Sequence, residues 1–416
     1  MQPFIWLLLI GVAQVGAKTY SNYHLFRVTP KNQQQLTGLK DMFEDEDSEV
    51  DFWIAPSSMN RTTEFLVPPH FVSSVKDLLD SLEAETLVLH EDIQTIIDEE
   101  STSPSKNDSQ FTSYSTGSIT DKYASYEEIV NWMKVLAKTY DHAKLIEFGY
   151  TFERRKLYAI KFSTGPNKKG IFVESGMHSR EWISIASSVK IIERMATQYK
   201  SDKEIDELLA LYDWTFVPYS NPDGYYYTQH FDRMWRKNRR PINLFCTGTD
   251  INRNFASGWG GPGASRNPCN PTFRGTSVFS EPESRALAQL VKQSAPLVGF
   301  FSVHAYSQLI LTPYGYTYEK PSDSPELTQL AIKAATAMKK VDGKQFTVGT
   351  PPDILYIATG GAYDWAKLKM NIKYAYAFEL RPSQNGRNGF IIPKRNIKPS
   401  SLELFAALKT FAKGFR

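Results

Sequence analysis

Gly170-Ile171-Phe172-Val173-Glu174-Ser175-Gly176-Met177-His178-Ser179-Arg180-Glu181-Trp182 begins with apolar residues at consecutive positions rather than alternate ones. A strand of that kind has both faces covered, as in the sheet of an α/β domain. The spacing then predicts a helix over Trp182 to Tyr199. Between strand and helix stand His178 and Glu181, at the carboxyl end of the strand, where open α/β sheets gather their ligands.

Further strands are expected at Lys144 to Phe148, Leu157 to Phe162, Trp214 to Pro218, Val298 to His304 and Lys373 to Glu379. Helices are expected at Glu281 to Ser294, Pro325 to Val341 and Ser400 to Lys413. Ser125 and Glu128 form a capping box ahead of Ile129, Trp132, Met133 and Leu136. No internal repeat is present. The pattern describes one α/β domain of about 310 residues.

Two more chemical side chains close apolar strands. Phe300-Phe301-Ser302-Val303 runs into His304, and Tyr374-Ala375-Tyr376-Ala377-Phe378 into Glu379. Two histidines and one carboxylate leave a fourth position open on zinc, the pattern of catalytic rather than structural sites. Spacing alone carries little weight. The chain has seven histidines and 45 acids in 416 residues, so about 0.76 His–acid pairs three apart arise by chance. Singly, His304 reads equally as a core histidine and Glu379 as the ion-pair partner of Arg381; the shared placement at strand ends favours a site.

Upstream lies a smaller unit, from about His24 to Glu99. Strands at His24 to Thr29, Glu49 to Ala55, Thr63 to Val67 and Thr86 to His90 alternate with helices at Lys31 to Phe43 and after Pro68-Pro69, giving the βαββαβ order of the ferredoxin-like α+β sandwich. A helical tail, Asp92 to Glu100, leads into the polar, Ser-rich stretch Ser101 to Gln110. Such exposed linkers are where proteases cut, and Lys106 is its sole basic residue, which points to a trypsin-like activating protease.

Met1 to Gly11 is apolar and uncharged, and small residues follow at Val15-Gly16-Ala17. This reads as a signal peptide cleaved after Ala17, although it lacks a positive n-region. The apolar run falls short of the ~20 residues that span a bilayer. The expectation is a secreted, extracellular protein without a membrane span. In that compartment Cys246 and Cys269, the sole cysteines, are expected to form a disulfide, the alternative being two free buried thiols. Asn60 and Asn107 stand in glycosylation sequons. With 41% apolar residues, 22% charged residues and a net charge of +3, the composition is that of an ordinary globular protein. No dense basic run marks a nucleic-acid partner.

His178-Ser179-Arg180-Glu181-Trp182 resembles the first zinc motif of metallocarboxypeptidases of the pancreatic A and B type. Asn221-Pro222-Asp223-Gly224-Tyr225, Met234-Trp235-Arg236-Lys237, Asp250-Ile251-Asn252-Arg253-Asn254, Ser302-Val303-His304-Ala305-Tyr306 and Phe378-Glu379-Leu380-Arg381 resemble that family's motifs in the same order. The resemblance spans the second domain and includes the Cys246–Cys269 pair, and the small first domain resembles the inhibitory pro-segment. It implies a large mixed sheet with helices on both faces, and a monomer laid out as signal peptide 1–17, pro-domain 18–106 and catalytic domain 107–416. It also implies one zinc per chain on His178, Glu181 and His304, with Glu379 as base towards the zinc's water and Arg236 facing the carbonyl oxygen. Asp250 is expected to orient a zinc histidine. Arg253 and Asn252, with Tyr356, resemble the anchor for a peptide's terminal carboxylate; Arg180 and Tyr306 resemble outer-subsite residues.

By the same resemblance, the pocket for the departing side chain ends just after Gly360-Gly361. The B type carries an Asp there; this sequence has Tyr363. Leu311, Gly315, Pro351, Leu355, Ala358, Ala362 and Ala377 complete an uncharged lining, which implies release of apolar or aromatic residues. One extra residue between Asp364 and Glu379 leaves a second alignment open, with Asp364 on the floor and a preference for Lys or Arg. Arg381 is followed by an unusual loop, Pro382-Ser383-Gln384-Asn385-Gly386-Arg387. A catalytically inactive peptide-binding relative would have lost a ligand, Arg236 or Glu379, and none is lost.

Overall fold

The computed structural model describes residues 16–45, 48–102 and 119–415. The apolar leader up to Val15, Lys106 and Asn107 lie outside the described residues. Four strands, β1 (His24–Val28), β2 (Asp51–Ile54), β3 (Thr63–Val67) and β4 (Thr86–His90), form an antiparallel sheet in the order β2-β3-β1-β4. Its own core joins Phe26, Val28, Leu39, Phe65, Val67, Val75 and Leu79, so the βαββαβ pattern folds as expected. The helix Ile93–Thr102 follows.

The second sheet has eight strands: β5 (Ala143–Tyr150), β6 (Lys156–Phe162), β7 (Gly170–Ser175), β8 (Asp213–Val217), β9 (Leu297–Ser307), β10 (Leu309–Leu311), β11 (Thr347–Gly349) and β12 (Tyr374–Ser383). Their order is β11-β10-β12-β9-β7-β8-β6-β5. The centre is parallel (β12 with β9, β9 with β7, β7 with β8), whereas β5–β6, β6–β8 and β10–β12 are antiparallel. The sheet is therefore mixed.

Alternate residues of the central strands bury on opposite faces. Ile171, Val173, Phe301, Val303, Tyr376 and Phe378 pack with the helices Trp182–Thr197, Ser324–Asp342 and Ile397–Gly414. Phe172, Phe300, Ala375 and Ala377 pack on the other face with Pro282–Gln293 and Ala362–Met370. Two covered faces account for the unbroken apolar runs. The capping box ahead of Tyr126–Thr139 forms in both directions. Among the described residues no helix is long and apolar enough to cross a membrane. Cys246 and Cys269 form a disulfide with Cα atoms 4.8 Å apart.

Candidate active site

β7 delivers the first ligand group through a turn that needs glycine. Gly176 has φ +63°, and a Cβ there would lie 2.7 Å from Ile185 and 3.1 Å from the Tyr219 backbone. Two residues on, His178 turns inward, and Glu181 sits at the start of the helix Trp182–Thr197. His304 arrives from β9 and Glu379 from β12, directly paired across the parallel ladder.

These side chains converge. His178 Nδ1 lies 2.8 Å from Glu181 Oε1, His304 Nδ1 lies 3.1 Å from Glu181 Oε2, and the two Nδ1 atoms are 3.1 Å apart. All three residues are buried, at 5%, 3% and 2% exposure for His178, Glu181 and His304. Two ring nitrogens and a carboxylate oxygen facing one point within 4.8 Å of one another make a donor set that suits zinc. Burial resists the charge on Glu181, but the His178 and His304 rings outweigh it and hold that carboxyl far below its ordinary range. Burial, followed by the Glu181 charge, pushes Glu379 up.

Around the centre, Asp250 Oδ1 takes His178 Nε2 at 3.1 Å, and its Oδ2 accepts from Arg236 Nε and Nη2 at 3.1 and 2.8 Å. Arg236 Nη1 remains on the centre's side, 3.9 Å from Glu181. Asn252 and Arg253 stand in a short turn capped by Asp250. Arg253 is held by Gly263 O and Asn252 O. Gly360, with φ +78°, presses against the Arg253 backbone, where a Cβ would come within 2.2 Å of Arg253 O.

One cavity of about 80 Å³ joins His178, Glu181, Arg236, Asn252, Arg253, His304, Tyr306, Tyr356, Tyr363 and Glu379. Leu311, Gly315, Pro351, Leu355, Ala358 and Ala377 line it too. Ala362 does not. Its side chain belongs to the core behind, while its N–H binds Asn252 Oδ1 at 2.9 Å. Tyr363 lines the cavity and its hydroxyl closes against Gly315, where no side chain would fit. Asp364 stands outside the lining, its Oδ2 taken by the N–H groups of Gly315 and Tyr316 at 2.8 and 3.1 Å. Arg381 pairs with Glu403 and Asp342 and leaves Glu379 alone.

The first unit, expected from its resemblance to be inhibitory, covers this site, but sequence reasoning missed the residues through which it does so. Trp53 and Ile54 of β2 line the cavity, together with Phe390, which meets Trp53 edge-on at 5.1 Å. Three carboxylates of the first unit engage the second. Asp51 accepts from Arg180 at 2.5 Å, Glu64 accepts from the Tyr306 hydroxyl, and Glu100 makes a two-pronged pair with Arg233 at 2.6 and 3.0 Å. The loop after Arg381 grips the same unit. Arg27 donates to the carbonyls of Asn385 and Gly386, and Arg387 donates to Leu89 O at 2.7 Å. Periodicity within one unit does not record contacts made with another, so no local signal pointed to them.

A zinc carboxypeptidase model matches residues 129–407, and a carboxypeptidase activation peptide model matches residues 26–100. This chain belongs to the zinc carboxypeptidase family. It is a metallocarboxypeptidase, a hydrolase, and a precursor of the A type with its activation segment attached. Carboxypeptidase A2 of Mus musculus is 34% identical over 402 residues, 96% of this chain and 95% of the relative. Carboxypeptidase A1 of Sus scrofa is 34% identical over 420 residues, 98% of each. Among solved structures, the carboxypeptidase A from Helicoverpa armigera superposes with a TM-score of 0.85 at 27% identity, covering 95% of this chain and 98% of that one. Thrombin activatable fibrinolysis inhibitor has the same TM-score at 31% identity, with coverage of 95% and 98%.

Proposed function

We propose that this carboxypeptidase is a secreted precursor which, once cut near Lys106, removes single apolar or aromatic residues from peptide and protein C-termini. The observation that carries this reading is the convergence of His178, Glu181 and His304 beside Glu379 and Arg236, in a cavity with an uncharged floor. The parts divide as signal peptide 1–17, inhibitory pro-domain 18–106 and catalytic domain 107–416.

His178, Glu181 and His304 would hold the ion; when bound, zinc supplies a Lewis acid and acidifies water. Asp250 fixes the His178 ring and at the same time aims Arg236. Arg236 then offers its remaining N–H groups to the carbonyl oxygen as negative charge develops there. Glu379 takes a proton from the attacking water and returns it to the departing amine. Arg253 and Asn252, with Tyr356 at the rim, grip the terminal carboxylate, for which a planar guanidinium is better shaped than an ammonium.

Tyr363 lines the pocket and Asp364 stands outside the lining with one oxygen bound to backbone, so a cationic side chain would meet no carboxylate on the floor. This arrangement argues against the Lys/Arg alternative. The test offers peptides ending in Phe, Leu, Lys and Glu to the trypsin-cut protein. Release of Phe or Leu well ahead of Lys is expected; preferential release of Lys would overturn the specificity. An uncut chain as active as the cut one would overturn latency.

A further inference from the structure

The two histidines of the centre are held differently on their far sides. His178 Nε2 faces a carboxylate directly, that of Asp250. His304 Nε2 reaches Ser302 Oγ at 2.8 Å, and Ser302 Oγ donates in turn to Glu174 Oε1. Glu174 Oε2 accepts from Ser220 Oγ at 3.0 Å. Glu174 is 0% exposed, and it stands opposite Ser302 in the parallel pairing of β7 with β9, so a rigid ladder fixes the contact. The hydrolytic reading above uses none of Glu174, Ser302 and Ser220.

Glu174 accepts from the Ser302 hydroxyl at one oxygen and from the Ser220 hydroxyl at the other, as an ionised carboxylate does; burial works against that charge and the two hydroxyls favour it. The single O–H of Ser302 is thereby committed, and its oxygen is left to accept from His304 Nε2. That puts the imidazole proton on Nε2 and frees the Nδ1 lone pair to point at Glu181 and His178. Asn252 Nδ2 also lies 3.3 Å from Nε2; an amide NH₂ only donates, so this longer contact opposes a proton on Nε2, whereas the 2.8 Å contact with Ser302 Oγ accepts one. The orientation of the amide is set by Asn252 Oδ1, which accepts from Ala362 N.

We infer that Glu174 is a positioning residue that acts through Ser302 to hold His304 in the tautomer and orientation zinc binding requires. It is the counterpart of Asp250, one hydroxyl further removed. The inference rests on the reading of His178, Glu181 and His304 as zinc ligands. Partners behind a metal-bound histidine are commonly worth 10–100-fold in metal affinity.

The test is zinc affinity, measured on the full-length protein by competition with a chelator, for wild type, Ser302→Ala, Glu174→Gln and the double variant. Each single change is expected to weaken zinc binding about 10–100-fold. The double variant should lose no more than the weaker single, because Glu174 acts only through Ser302. Ser302→Thr, which keeps the hydroxyl, should bind zinc like wild type. Single variants within twofold of wild type, or a double whose loss is the product of the two singles, would overturn the inference. Should Glu174→Gln not fold, Ser302→Ala against Ser302→Thr decides alone. A wild type that binds no zinc would instead overturn the ligand reading.

Discussion

The catalytic centre and the surface that covers it are both built from buried charges, but they close differently. At the centre, His178, Glu181, Asp250 and Arg236 satisfy one another within one domain. At the covering surface, Arg180, Tyr306 and Arg233 each rely on a carboxylate from the first unit: Asp51, Glu64 and Glu100. The first arrangement survives loss of the N-terminal unit; the second is undone by it. A precursor needs that asymmetry, since the cut must release the lid without disturbing the groups it hides.

The comparison breaks most visibly at Glu379. Glu379→Gln should lower turnover by about 10²–10⁴-fold while zinc content stays at the wild-type level, as metal analysis beside steady-state kinetics would show. Substantial retained activity would remove Glu379 from the proton transfers.

At the covering surface, Glu100→Ala leaves the buried guanidinium of Arg233 without a counter-charge, at a cost of about 3–5 kcal/mol. Arg233 also donates to the carbonyls of Arg180 and Phe390, so the loss is felt beside the cleft. The severed unit should leave the cut protein far sooner on dilution, read as earlier onset of activity. Unchanged onset would show that this pair does not hold the lid.

Asp364 lies wholly inside the larger domain, so its effect should be the same before and after the cut. Burial raises its pKa to about 7, against an ordinary value of 3.8. A carboxyl with a raised folded-state pKa adds stability below pH 3.8, and that stability is lost as pH climbs through about 7. Asp364→Asn keeps an oxygen for Gly315 N and Tyr316 N but cannot ionise. Relative to wild type it should gain stability between pH 4 and 8, by about 4 kcal/mol at most. Thermal midpoints across that range check the sign; parallel curves would contradict it.

The smallest change is Asp51→Asn. Asn keeps an oxygen for Arg180, whose guanidinium also stacks on Phe390, so the change removes a charge but not the hydrogen bond, at a cost of about 1 kcal/mol. Release of the lid should quicken only a few-fold, well short of Glu100→Ala. A larger effect for Asp51 would reverse the ranking of the two contacts.

What was legible in the sequence follows the same division. The strands that carry His304 and Glu379 and the one that leads to His178 were legible because both faces are buried and the apolar runs are unbroken, although β9 and β12 run on to Ser307 and Ser383 past the expected ends at His304 and Glu379. The helix Pro222–His230 was not, since Gly224 and three tyrosines give it no apolar period, although Asn221 supplies its N-cap. β10 and β11 are three residues each, too short to show alternation. Ser302 was read only as part of a strand and a motif, because its link to Glu174 joins residues 128 apart. Lid contacts such as Arg27 with Gly386 span still longer separations and leave no local trace.

Zinc stoichiometry is the most direct test of the central claim. Purified, trypsin-cut protein dialysed against metal-free buffer should retain about one zinc per chain, and His304→Ala prepared alike should retain almost none. A wild type without zinc, or a His304→Ala protein that keeps a full equivalent, would contradict the account.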